Sequence, residues 1–179
     1  MPAPYVVSSL ITQDQIQDRI VEIAAEIERE TPGDALIHLV CVLKGGFMFL
    51  ADLVRAMGDR VTLDFMAVSS YGKDTKTSGE VRLLKDLDQS IEGRDVIIVE
   101  DIVDTGLTLT YLQEILRARA PKRLRTACLL SKPSRRLVNV KIDYTGFNID
   151  DHFVVGYGLD YAEQYRNLSY IGVLGVDEP

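Results

Sequence analysis

Three carboxylates, two threonine hydroxyls and a glycine fall within Glu100-Asp101-Ile102-Val103-Asp104-Thr105-Gly106-Leu107-Thr108. The stretch follows a short apolar run, Asp95 to Glu100, that reads as a buried strand. It leads into a helical pattern over Leu109 to Arg119. A Thr-Gly-x-Thr turn at a helix start offers unpaired backbone N–H groups and the positive end of the helix dipole. A phosphate monoester fits there, with the Thr105 and Thr108 hydroxyls as further donors. Carboxylates beside a phosphate repel it unless something else engages them. Sugar hydroxyls and a magnesium ion would engage Glu100 and Asp101. The chemistry suggested is recognition of a ribose 5-phosphate unit together with a metal. The plainer reading is a helix whose acids only favour its N-terminus. Neither common phosphate loop, G-x-x-x-x-G-K-[ST] or G-x-G-x-x-G, is present. Asp101 and Asp104 are spaced too far apart for a D-x-D pair.

The elements that must position this turn follow from periodicity. Ile16, Ile20, Ile23, Ala24 and Ile27 share one face of a helix over Thr12 to Glu30. Thr12 and Gln15 form a capping box, and Thr31-Pro32-Gly33 ends the helix. Leu36 to Leu43 is an apolar run suited to a strand buried on both faces. Lys44-Gly45-Gly46 breaks it, and a helix over Phe47 to Met57 stops at Gly58. Further strands are expected over 61–69, 81–84, 124–130, 153–156 and 170–174. Residues 72–79 are almost wholly polar with a glycine at each end, which predicts a mobile loop. Strands alternating with helices predict a parallel α/β sheet. Ligands of such sheets bind at the C-terminal strand ends. That rule singles out Lys44, 101–108, Lys132 and 153–160.

Composition bounds the alternatives. The chain has 179 residues, with 20 Lys+Arg against 27 Asp+Glu and a net charge of -7. One domain is expected, large enough to hold a core without disulfides or metal staples. The acidic balance argues against general nucleic-acid or anionic-membrane binding. Cys41 and Cys128 lie in apolar runs and read as reduced, buried thiols of a cytoplasmic protein. His38 and His152 are the two histidines, too few for a His-rich metal site. No signal peptide and no apolar run of membrane-spanning length is seen. Charge is uneven, however. Residues 116–142 carry nine Lys or Arg and no acid. That segment reads as helix-end and loop cations, as a subunit contact, or as an RNA-binding face.

The motif EDIVDTG resembles the phosphoribosyl pyrophosphate (PRPP) binding motif of type I phosphoribosyltransferases. LKGGFMFLADL (43–53), SSYG (69–72), LLSKPSRR (129–136) and FVVGYGLDYAEQYRNL (153–168) resemble the hypoxanthine-guanine branch in order and spacing, over essentially the whole chain. The resemblance implies a type I phosphoribosyltransferase fold. That is a central parallel sheet flanked by helices (core about 33–150), a small hood from both chain ends, and a flexible lid loop. It implies transfer of the phosphoribosyl group of PRPP to hypoxanthine or guanine, with release of pyrophosphate. Mg2+ is the cofactor, and a homodimer or homotetramer the assembly. A xanthine-guanine enzyme, or an RNA-binding regulator on the same fold, is the alternative.

The resemblance also implies roles. Asp104 matches the general base that shares the proton on purine N7, and its other reading is a helix N-cap. Glu100 and Asp101 match the pair holding the ribose hydroxyls and a magnesium ion. Thr105, Gly106, Leu107 and Thr108 match the 5′-phosphate cradle. Lys132 matches the lysine at the exocyclic C6 oxygen. An ammonium only donates hydrogen bonds, so it favours a 6-oxopurine. Phe153 matches the stacking ring, and Val154 the residue whose carbonyl meets the base edge. Asp160 matches an acid near a second magnesium ion or pyrophosphate, and Arg166 a pyrophosphate contact. Lys44 and Gly45 match the pyrophosphate loop, where the preceding peptide bond can be cis. Ser70 and Tyr71 match the start of the lid. His152 stands where relatives often carry an acid or lysine, and it could touch the base edge.

Overall fold

The computed structural model describes residues 5–70 and 81–175. Tyr71 and the polar segment 72–79 lie outside the described residues. Helix α1 (Gln13–Glu30) starts as its capping box dictates. The Thr12 hydroxyl accepts the Gln15 N–H at 3.3 Å, and Gln15 Oε1 accepts the Thr12 N–H at 2.9 Å. The expected face, Ile16, Ile20, Ile23, Ala24 and Ile27, is buried. Thr31 leaves the helix in extended backbone, and its hydroxyl donates to the Ile27 carbonyl at 2.7 Å.

The apolar runs form the middle of a six-stranded sheet. Its strands are β2 (Ile37–Leu43), β3 (Val61–Ser70), β4 (Val81–Lys85), β5 (Asp95–Val103), β6 (Arg123–Ser131) and β7 (Tyr144–Asn148). Their spatial order is β4-β3-β2-β5-β6-β7. All pairs are parallel except β3 with β4. Helices α2 (Phe47–Ala56) and α3 (Leu107–Arg117) follow β2 and β5.

Strand alternation divides the core in two. Leu39, Cys41, Ile97, Val99, Ala127 and Leu129 face a cluster shared with α1 and α2. Val40, Val42, Val96, Ile98 and Cys128 face a second cluster that includes Leu109, Leu112 and Leu116 of α3. Each fully buried Leu or Ile contributes about 1.5–3 kcal/mol. Both cysteines are free, and burial pushes their thiols up to about 12, so they remain protonated.

A second, antiparallel sheet is built from the two ends of the chain. It has the order β1-β9-β8, from β1 (Tyr5–Ile11), β8 (Val154–Val155) and β9 (Ile171–Gly175).

Several boundaries differ from expectation. β5 runs through Val103 and α3 begins at Leu107, so the intervening turn is only Asp104-Thr105-Gly106. β8 is shorter than 153–156. β1 and β7 were not expected at all. β1 is defined by its pairing with β9, 160 or more residues away in sequence, and local periodicity carries no such information. β7 is five residues with a central glycine, Gly146, on which a Cβ would overlap the Leu129 backbone of β6.

Candidate active site

The sheet order reverses at β2 and β5. β3 lies on one side of β2 and β5 on the other, which opens a crevice at their C-terminal ends. Lys44-Gly45-Gly46 follows β2, Glu100 to Gly106 ends β5, and Lys132 follows β6. These ends are in register. Val103 pairs with Ser131, and the Lys132 N–H donates to the Val103 carbonyl at 3.0 Å. Parallel pairing therefore brings together residues separated by 30 to 90 positions in the chain.

The turn after β5 is shaped for an anion. Gly106 occupies the left-handed region, at φ 87°, as the N-cap of α3, and it supplies no side-chain cap. The Leu107 N–H makes only a 3.4 Å contact with Thr105 Oγ1, so the first-turn donors stay available. A cavity of ≈ 190 Å³ is lined by Glu100 to Gly106 together with Thr108 and Leu109. Leu107 takes no part in that lining. A Cβ at Gly106 would crowd Val138 and Val140, so glycine is required there for space as well as conformation.

Glu100 is buried and Asp101 partly so. Burial, then the neighbouring Asp101 charge, pushes Glu100 well above the usual carboxylate range. Burial pushes Asp101 up to about 6; the Asp160 charge adds to this, while backbone N–H groups and Arg166 oppose it. Among the described residues, no cation pairs with Glu100. Two adjacent acids held at this cost in charge suit a hydrated Mg2+, which takes one or two carboxylates and completes its shell with water and ligand oxygens. No cluster of three or more metal-type side chains occurs among the described residues.

A stability test follows from the sign of this shift. A raised folded-state value means the native state binds more protons than the unfolded chain between about pH 4 and 6. Stability is therefore lost as pH rises through about 6. Asp101→Asn removes that loss. It should raise the melting temperature of the ligand-free protein at pH 7.5 by about 4–8 °C, for about 2 kcal/mol. At pH 4.5 the gain should fall to about a third of that, which thermal melts at the two pH values would check.

The loop after β2 is packed tightly against this acid. The Leu43–Lys44 peptide is cis. A Cβ at Gly45 would overlap the Asp101 carboxylate, and one at Gly158 would overlap the Gly45 carbonyl oxygen. Gly158 also sits at φ 98°. Gly158→Ala should cost about 1–3 kcal/mol through both effects, read as a lowered denaturant midpoint. Lys44 Nζ lies 2.9 Å from Glu163 Oε2, with both side chains exposed. Arg166 donates to the Gly158 carbonyl at 2.7 Å and pairs with Asp160 Oδ1 at 2.9 Å. Lys44, Asp160, Glu163 and Arg166 thus gather opposite the acid pair.

Asp104 and Lys132 stand on the other side. Lys132 is buried along its stem, with Nζ 3.4 Å from Asp151 Oδ1. Asp104 is 41% exposed and pairs with Arg135 Nε at 3.1 Å. The protein core therefore does not shield the Asp104 carboxylate from water. Phe153 is 55% exposed and is braced edge-on by Tyr161, at 5.8 Å and 81°, which leaves ring surface available for stacking. Val154 is buried in β8. His152 is exposed, its N–H bonded to the Asp150 carbonyl. Ser70 ends β3, and Tyr71 lies outside the described residues.

Four residues at this crevice were not anticipated. Arg136 donates to the Val103 and Asp104 carbonyls and to Ser131 Oγ, and so fixes the turn that carries Asp104. Glu163 bridges Lys44 and Arg166. Arg135 and Asp151 tie Asp104 to Lys132. The KPSRR string held the signal for the two arginines. Nothing local marks Asp151 or Glu163.

Residues 8–162 match the family description "Phosphoribosyl transferase domain". The chain is 52% identical over 165 residues to the hypoxanthine-guanine phosphoribosyltransferase of Bacillus subtilis, covering 92% of this chain and 91% of that protein. It is 53% identical over 173 residues to the enzyme of the same name from Mycobacterium tuberculosis, covering 93% and 85%. The crystal structure of a hypoxanthine-guanine phosphoribosyltransferase from Bacillus anthracis superposes with a TM-score of 0.90. It is 44% identical and covers 97% of this chain and 100% of that one. Fold, crevice and sequence thus agree, and the chain belongs to the phosphoribosyltransferase family, on its hypoxanthine-guanine branch.

Proposed function

We propose that the chain transfers the phosphoribosyl group of PRPP to N9 of hypoxanthine or guanine, giving IMP or GMP and pyrophosphate, as in purine salvage. The observation that carries this is the placement of Asp104 and Lys132 on adjacent strand ends, beside the open N-terminus of α3. A 6-oxopurine presents an acceptor at O6 and, in the reacting tautomer, a donor at N7. Lys132 can only donate and an ionised Asp104 can only accept, so the pair matches that edge. Phe153 stacks on the base, and the Val154 carbonyl meets its edge. Thr105 to Thr108 hold the 5′-phosphate through backbone donors and hydroxyls. Glu100 and Asp101 hold the ribose hydroxyls. Lys44, Gly45 and Arg166 hold the pyrophosphate as it leaves, and Ser70 and Tyr71 keep the lid role that the resemblance implies.

Glu100 and Asp101 would hold one Mg2+, whose charge would offset that of the departing pyrophosphate, and Asp160 would stand near a second magnesium ion or the pyrophosphate. Asp104 shares the N7 proton as the glycosidic bond forms and offsets positive charge on the purine. The lid beginning at Ser70 would exclude water during this step.

The RNA-binding alternative is disfavoured by where most cations of 116–142 lie. Arg125 and Lys132 are buried. Arg119 pairs with Asp86, Arg123 with Asp95, and Lys141 with Asp143. Most of these charges are thus met by acids from other elements, and Arg117 and Lys122 are the exposed cations of the segment without an ion pair among the described residues. No helix of the described residues is long and apolar enough to cross a membrane. A cytoplasmic location and a dimeric or tetrameric assembly complete the reading, the latter testable by light scattering.

The deciding assay incubates the protein with PRPP and Mg2+ and, separately, hypoxanthine, guanine, xanthine, adenine or uracil. Nucleotide is expected from hypoxanthine and guanine. Absence of product from every 6-oxopurine would overturn the proposal, and a preference for xanthine over hypoxanthine would favour the xanthine-guanine alternative.

A further inference from the structure

The two groups assigned to the purine edge are joined by a chain of alternating charge. Asp104 Oδ1 lies 3.1 Å from Arg135 Nε. Arg135 Nη1 lies 3.4 Å from Asp151 Oδ2, and Asp151 Oδ1 lies 3.4 Å from Lys132 Nζ. Asp104 and Lys132 leave different strands, β5 and β6. Arg135 belongs to the 3-10 turn Pro133–Arg135, directly after Lys132. Asp151 precedes β8 in the connection from β7. The chain therefore links three separate connections at one rim of the crevice.

An isolated ion pair at this exposure is worth little, because water competes for both partners. Here the guanidinium serves two carboxylates and Asp151 serves two cations, so each group is held from two sides. Consider the crevice without the bridge. Asp104 and Lys132 carry opposite charges on neighbouring strand ends and would attract each other. A direct pair would consume the acceptor and the donor that a 6-oxopurine requires. The bridge offers each an alternative partner. It occupies Oδ1 of Asp104, and among the described residues Oδ2 has no hydrogen bond or ion pair. It also engages Lys132 through Asp151, leaving other N–H donors of the ammonium for O6.

We infer that Arg135, acting with Asp151, is a positioning residue that holds Asp104 and Lys132 apart and oriented for the incoming 6-oxopurine. The inference rests on the roles given to Asp104 and Lys132 under Proposed function. Arg135 touches neither reacting atom. Its contribution is to remove a search over side-chain geometries before the base arrives.

The test compares Arg135→Gln, Asp151→Asn and the double variant with wild type, using saturating PRPP and varied hypoxanthine, then the reverse. Each single variant should lower kcat/KM for hypoxanthine by about five- to tenfold. KM for PRPP should change by less than about twofold, and the melting temperature should stay put, since the bridge contacts the purine side and is half-exposed. The double variant should lose no more than the worse single, because both break one bridge. If Arg135→Gln fails to fold, Asp151→Asn severs the same bridge from its other end. Unchanged kcat/KM for hypoxanthine in both singles would overturn the inference. So would equal losses toward hypoxanthine and PRPP, or additive losses in the double variant. Wild-type turnover in the same plates separates the two claims. A wild type inactive on 6-oxopurines refutes the function, whereas an active one leaves only the Arg135 assignment at issue.

Discussion

Asp104→Asn lowers kcat by about 10²-fold or more, the usual range for a lost acid/base group. Asparagine keeps the size of the side chain and an oxygen that can accept a hydrogen bond from N7, but it cannot take up a proton or offset positive charge on the purine. The fold has little reason to respond. Asp104 is 41% exposed, and its one side-chain partner, Arg135, is 48% exposed. Pairs of this kind contribute about 0–1 kcal/mol. PRPP affinity should hold as well, because the cradle consists of backbone donors and threonines beyond Asp104. The measurement is steady-state turnover with hypoxanthine, alongside PRPP binding by calorimetry. Near-normal kcat in this variant would remove Asp104 from the base role and leave it a turn residue.

The largest loss of stability is expected at the opposite end of the sheet, from Arg125→Met. Arg125 is buried and is held at both ends of its guanidinium. Nη2 donates to Asp95 Oδ1 at 2.7 Å and to Thr31 Oγ1 at 2.9 Å, and Nη1 donates to Tyr144 OH at 2.6 Å. Tyr144 in turn donates to Glu30 Oε2 at 2.6 Å. The cluster ties the end of α1 to β5, β6 and β7. Methionine fills similar volume, yet it leaves Asp95, itself 4% exposed, with one cation fewer. Removing one partner of a buried pair typically costs 3–5 kcal/mol. Arg123 still pairs with Asp95, which places the loss at the low end, about 3 kcal/mol. Melting should fall by about 6–12 °C, with kcat at 25 °C unchanged. Arg125→Met combined with Asp95→Leu should recover much of that loss, since no buried carboxylate is then left short of a partner. An unaltered melting temperature in the single variant would show that the cluster contributes nothing net.

Much of the catalytic layout was legible in the order of residues. The acids, Thr-Gly-x-Thr turn and following helix could be read as a phosphate site because the chemistry is local. Gly106, the open N–H groups and the threonines lie within one turn of chain. The face of α1 and its capping box were legible for the same reason, since spacings of three or four residues set them. The strand-end rule places Lys44, Asp101 and Lys132 on one rim from the sequence alone. The reading of Cys41 and Cys128 as buried free thiols likewise came from the apolar runs around them.

Other features depended on contacts far apart in the chain. The basic segment 116–142 looked like a cationic face in sequence, and its neutralising partners, Asp86, Asp95, Asp104 and Asp151, mostly lie on other elements. β1 exists because β9 offers it an unpaired edge, and β7 because β6 does. The Arg135–Asp151 bridge needs three connections to converge at one rim. Residue types within a turn determined what could be bound, because donors, acceptors and charge act over a few ångströms along the chain. Which strand ends meet at the crevice, and which arginine each acid there faces, was decided only by tertiary pairing, which makes neighbours of residues that the chain itself keeps apart.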